Sequence, residues 1–72
     1  MEQELRKRIA LNIRIERAKI GLSQEKLAEL AEISPKHITK IEKANVTPSI
    51  FLIYKIAEVL NVSIDTLTKR II

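Results

Sequence analysis

Glu32-Ile33-Ser34-Pro35 leaves almost no chain between two stretches of helical periodicity. No other feature of the sequence constrains the fold as much. Ser ahead of Pro is a strong helix-start signal. The serine hydroxyl accepts from a first-turn backbone N–H, and proline lacks the N–H that would go unsatisfied there. The stretch before the break predicts a helix over about 24–31, with Leu27, Ala28 and Ala31 inward and Leu30 beside them. The stretch after it predicts a helix over about 35–43. Ile38 and Ile41, three apart, point inward, while Lys36, Thr39, Lys40 and Lys43 fall at i, i+3, i+4 and i+7 on the outer face.

Two helices joined by so tight a break, the second polar and basic on its outside, form a helix-turn-helix arrangement over about 23–43. The rest of the chain supplies elements to support it. A first helix over about 4–19 places Ile9, Ile13 and Ile20 on one face, with Leu5 near its edge. Gly21, the only glycine, suits the left-handed residue that stops this helix. Ser23 then caps the second helix, and Glu25 falls in its first turn, where the macrodipole favours an acid. Asn45 to Pro48 reads as a loop. Ser49 caps a fourth helix over about 50–60, with Ile50, Ile53, Ile56, Ala57 and Leu60 inward. Asn61-Val62 turns the chain, and Ser63 caps a short fifth helix carrying Ile64 and Leu67. The expected fold class is all-α: a compact five-helix bundle in which residues 1–72 make one domain.

Composition narrows what such a bundle can do. The chain has 72 residues and no cysteine, so neither disulfides nor a thiolate zinc site can staple it. The core must therefore come from packing, and a 46% hydrophobic content allows that and argues against disorder. The longest apolar run, Ile50 to Tyr54, is far shorter than the ~18 residues that span a bilayer. The acidic start Met1-Glu2-Gln3-Glu4 has no signal-peptide character, so a cytoplasmic protein is the expectation. One His, one Gly and one Asp offer no metal cluster, glycine-rich phosphate loop or nucleophile–base set. No enzyme activity, metal or cofactor is expected. Thirteen basic against nine acidic residues give a net charge of +4, which favours a polyanionic partner.

From Gly21 onward the residues carry more than a pattern. The segments Gly-Leu-Ser-Gln-Glu-Lys-Leu-Ala-Glu-Leu-Ala (21–31), Ile-Ser-Pro-Lys-His-Ile-Thr-Lys-Ile-Glu-Lys (33–43), Thr-Pro-Ser-Ile (47–50) and Ile-Ala-Glu-Val-Leu-Asn-Val-Ser-Ile-Asp (56–65) resemble the phage-repressor/Cro-type, or XRE-like, helix-turn-helix family. The resemblance spans roughly residues 9–68. It implies a lambda-repressor-like five-helix domain, usually a homodimer on a palindromic operator, acting as a transcriptional regulator. Two positions depart from the pattern. The family often has Gly where this chain has Glu32 and Ala44. A non-Gly residue at positive φ costs roughly 1 kcal/mol or more, so either the strain is accepted or the turn differs. Asn45, which tolerates the left-handed region, is a candidate to take over after the third helix.

Double-stranded DNA offers a dense row of phosphates and a major groove wide enough for one helix. The third helix is the candidate reader. Lys36 and Lys40, one turn apart, suit guanine edges; Thr39 can hydrogen-bond or touch a thymine methyl; Pro35 offers apolar contact only. On pattern alone the same residues fit an ordinary solvated face equally well. The resemblance favours base contact, because these positions match those at which family members read bases. Gln24 opens the second helix, where free N–H groups and the dipole favour a phosphate, and matching family residues bind the backbone there. His37, Lys43, Asn45 and Thr47 are further candidate phosphate contacts, with His37 equally suited to packing against the second helix. Residues 34–45 carry three lysines against Glu42, net +2, while residues 21–33 are net −2. The resemblance also implies a partly buried ion pair between Arg17 and Glu42, joining the first and third helices.

Some apolar residues find no place in this core. Leu11, Ile15 and Ala18 lie opposite Ile9 and Ile13, Phe51 lies about 100° from Ile50, and Ile71-Ile72 ends the sequence. Phe51, Ile71 and Ile72 are the expected dimer contacts, in the region where the family commonly pairs. These residues also support a rival reading, a protein-interaction or oligomerisation module on the same fold that does not bind DNA. The operator, the sign of regulation and any partner protein are not legible in the sequence. A phage repressor, a restriction-modification controller and an antitoxin-like autoregulator all fit.

Overall fold

The computed structural model describes residues 1–70 and contains five helices among them. They are α1 (Glu2–Lys19), α2 (Gln24–Ala31), α3 (Pro35–Glu42), α4 (Ile50–Leu60) and α5 (Ile64–Thr68). The expected dimer residues Ile71 and Ile72 lie outside the described residues. None of the described helices is long and apolar enough to cross a membrane.

Local chemistry fixes both ends of most helices. Ser23, Ser34, Ser49 and Ser63 each accept, through Oγ, the N–H of the residue three ahead, at 3.0–3.2 Å. Such a cap stabilises a helix by about 1 kcal/mol. The C-termini of α1 to α4 close with one shared pattern. Leu22, Ile33, Asn45 and Val62 each donate a backbone N–H to the carbonyl five residues back, and the residue before each donates to the carbonyl three back. This is the Schellman motif. It needs a left-handed residue, and Gly21, Glu32, Ala44 and Asn61 supply it, with φ between 57° and 66°. The strain expected at Glu32 and Ala44 is therefore accepted. Asn45 does not take over after α3, because Ala44 itself adopts the left-handed conformation. After three of these turns an apolar residue, Leu22, Ile33 or Val62, folds back onto the core.

The core gathers Ile9 and Ile13 of α1, Leu27 and Ala31 of α2, Ile38 and Ile41 of α3, Ile53, Ile56 and Leu60 of α4, and Leu67 of α5. Helix α1 packs on α3 and α5, and α2 on α3 and α4. Two expected inward residues are exposed. Ile20 follows the last residue of α1, where the backbone has left helical geometry and no longer carries the inward face. Ile50, 67% exposed, is the first residue of α4, with no preceding turn to hold it against the core. Leu30 also faces outward. Helix α1 also buries two polar residues. Asn12 donates from Nδ2 to the carbonyls of Leu67 and Lys69, both at 3.0 Å, which ties the end of α5 to α1. Glu16 is paired with Lys19 at 3.2 Å.

Candidate nucleic-acid interface

The inner side of α3 is anchored by Ile38, Ile41 and Glu42, all buried. The helix must therefore present its other side outward. Pro35, Lys36 and Lys40 are exposed there, and Thr39 and His37 are half-buried at its margins. Lys43 stands just past the last turn, and Asn45 and Thr47 follow, all three exposed. The lysines at 36, 40 and 43 thus form one outward edge with a dense positive charge.

What orients that edge is a polar junction beneath it. Arg17 grips Glu42 with two parallel bonds, Nε to Oε2 and Nη2 to Oε1, each 2.9 Å long. Its Nη1 donates to the Leu22 carbonyl at 2.9 Å. Glu42 Oε1 also accepts from Gln24 Nε2 at 2.8 Å. One carboxylate, 2% exposed, therefore fastens α1, the start of α2 and the last turn of α3 together. Bidentate arginine–carboxylate geometry is directional, so it fixes the angle of α3 as well as its distance.

The side chain of Gln24 is drawn into this junction. The single hydroxyl proton of Thr39 is shared between the Pro35 carbonyl at 3.1 Å and Gln24 Oε1 at 3.4 Å. Gln24 lies in an open cleft of about 520 Å³ between the starts of α2 and α3, shared with Arg17, Ser23, Glu25, Pro35, Lys36 and Thr39. Thr47 is likewise engaged. Its hydroxyl accepts from Arg6 Nε at 2.7 Å and donates to Glu2 at 3.0 Å.

Sequence reasoning missed a second group of cations. Lys7 and Arg14 of α1 line an open cleft of about 310 Å³ with Ala10, Glu42, Lys43 and Ala44. They continue the basic edge of α3 onto α1. The signal was present, because residues seven apart share a helix face. It went unused because nothing in the sequence says that this face of α1 abuts the end of α3.

Comparison with known proteins follows the same outline. The helix-turn-helix family model HTH_3 matches residues 13–67, from the middle of α1 into α5. The chain belongs to the helix-turn-helix family. Two proteins of Archaeoglobus fulgidus, each described as an uncharacterized HTH-type transcriptional regulator, are similar to it. One is 44% identical over 55 residues, spanning 76% of this chain and 79% of its own; the other is 41% identical over 49 residues, spanning 68% and 69%. Among solved structures, the hypothetical transcription factor NHTF from Neisseria superposes with a TM-score of 0.89 at 30% identity, covering 96% of this chain and 79% of that one. The clp gene regulator ClgR from Corynebacterium glutamicum superposes with a TM-score of 0.84 at 25% identity, covering 88% and 67%. Helices α2 and α3, with the Glu32 turn between them, lie wholly within the matched residues.

Proposed function

We propose that this helix-turn-helix chain is a sequence-specific double-stranded DNA-binding transcriptional regulator, acting as a homodimer on a palindromic operator with α3 in the major groove. One observation carries the reading: an exposed basic edge of α3 held at a fixed angle by the Arg17–Glu42–Gln24 junction. Lys36 and Lys40 read guanine O6 and N7, Thr39 adds a hydrogen bond or a methyl contact, and Pro35 packs against a base edge. His37, Lys43, Asn45 and the start of α2 at Gln24 hold phosphates and set register. The relatives' descriptions as transcriptional regulators support the same reading.

A single domain presents one reading helix, which is little affinity for a regulator. Two-fold pairing presents two helices to successive major-groove faces about 34 Å apart. Such pairing needs a self-complementary apolar patch away from α3. Ile50, Phe51 and Tyr54 supply one on α4, exposed by 67%, 65% and 50%. Lys55 lies over the Phe51 ring at 5.3 Å from its centroid. Ile71 and Ile72 remain candidate contributors.

Titration of generic duplex DNA at several salt concentrations tests the DNA-binding claim. The expected result is binding that weakens steeply as salt rises, because each phosphate contact releases counterions. Absence of binding at low salt would favour the rival interaction module, for which the apolar face of α4 is the specific support.

A further inference from the structure

The contacts around Thr47 form a closed triangle. Arg6 Nε donates to Thr47 Oγ1, Thr47 Oγ1 donates to Glu2 Oε2, and Arg6 Nη2 donates to the same Glu2 oxygen at 3.0 Å. Glu2 and Arg6 are neighbours on one helix, but Thr47 comes from the loop ahead of α4, 41 residues from Arg6. The hydroxyl of Thr47 and the positive charge of Arg6 hold the Glu2 carboxyl below its ordinary range. An anionic oxygen thus sits between a guanidinium and a hydroxyl, the two donor types that commonly grip a DNA phosphate. The triangle pins the loop that follows α3 two residues past Asn45, and Arg6 immediately precedes Lys7, which shares a cleft with Lys43 and Ala44 at the end of α3.

We propose that Arg6 and Thr47 form a phosphodiester-binding site continuous with the α3 interface, and that Glu2 fills it as a built-in phosphate surrogate when no DNA is bound. The site rests on the DNA-binding reading given above. Glu2 is two-thirds exposed and Arg6 less than one-third, so the pair is solvated and exchangeable. Water and salt weaken such a pair, and a phosphate brought in by the rest of the interface competes with it on similar terms. A carboxylate in this place lowers affinity for every DNA sequence alike, because phosphates carry no base information.

The test is a set of DNA titrations with the full chain and a generic duplex at low salt. Wild type is compared with Glu2→Gln, Arg6→Gln, the double variant, and Glu4→Gln. The last removes an exposed acid from the same end of α1 and measures the general effect of one lost negative charge. Glu2→Gln should tighten binding by roughly two- to fivefold beyond the Glu4→Gln effect, the range one exposed ion pair supports. In the Arg6→Gln background that excess should vanish. Thr47→Val should reduce it as well. An equal gain from Glu2→Gln and Glu4→Gln, or a gain that survives loss of Arg6, would overturn the surrogate site while leaving the DNA-binding reading intact. Failure of every protein, wild type included, to bind duplex at low salt would overturn both.

Discussion

Arg17 and Glu42, 25 residues apart in sequence, meet through two 2.9 Å bonds that fasten α3 to α1. Glu42 is almost wholly buried and Arg17 about one-fifth exposed. Removing either partner strands a desolvated charge. Glu42→Ala should therefore destabilise the fold by about 3 kcal/mol, and Arg17→Ala by a similar amount. The double variant should lose less than the sum of the singles. Urea unfolding of the three variants checks this, and strict additivity would show that the two residues are not coupled.

The turn after α3 stores strain that one atom group removes. Ala44 sits at φ 62°, where a Cβ crowds the following carbonyl. Ala44→Gly should stabilise the protein by roughly 0.5–1 kcal/mol, after the extra entropy of glycine in the unfolded chain is subtracted. Glu32→Gly should act in the same direction at φ 58°. Thermal melts decide the sign, and a lower melting temperature for Ala44→Gly would mean that the left-handed turn carries no cost there.

These turns show which parts of the structure were legible in the sequence. The starts of α2 to α5 were readable, because each depends on a serine bonding three residues ahead; α1, with no side-chain cap, begins at Glu2 rather than near residue 4. The core was readable where periodicity ran through the middle of a helix, as at Ile9, Ile13, Ile38 and Ile41. It failed at Ile20 and Ile50, where the helix ends and periodicity no longer sets direction. The outward lysines of α3 were readable for the same reason as the core. The partners of polar residues were not. Asn12 finds its carbonyls 55 and 57 residues away, and Arg6 finds Thr47 41 residues away. Gln24, a candidate phosphate contact, bonds Glu42, a partner 18 residues away that its spacing does not indicate. Such pairings depend on how helices pack, which spacing along one helix does not encode.

Asn12 is the link between α1 and the end of α5. Asn12→Ala would leave two carbonyls without their donor inside the protein, at a cost of roughly 1–3 kcal/mol. Because α5 has only five residues, the loss should appear first as faster amide hydrogen exchange in α5. Exchange that speeds up equally along the whole chain would show that α5 does not open separately.

Pairing through α4 has its own check. Phe51→Glu should lower the dimer fraction and the affinity for a palindromic site, with little change on a single half-site. Deleting Ile71-Ile72 should act in the same way. Sedimentation and a half-site titration measure both effects. An unaltered monomer–dimer balance in both variants would move the interface elsewhere, with the Leu11 and Ile15 side of α1 next to be tested.

The central claim is that α3 reads base edges, and selection of bound sequences from random duplexes by wild type, Lys36→Ala and Lys40→Ala tests it most directly. Wild type should enrich a two-fold symmetric site. Each lysine variant should bind roughly 1–3 kcal/mol more weakly and lose its preference at one base position in each half-site. Recovery of the wild-type motif, unchanged at every position, by both variants would contradict the account.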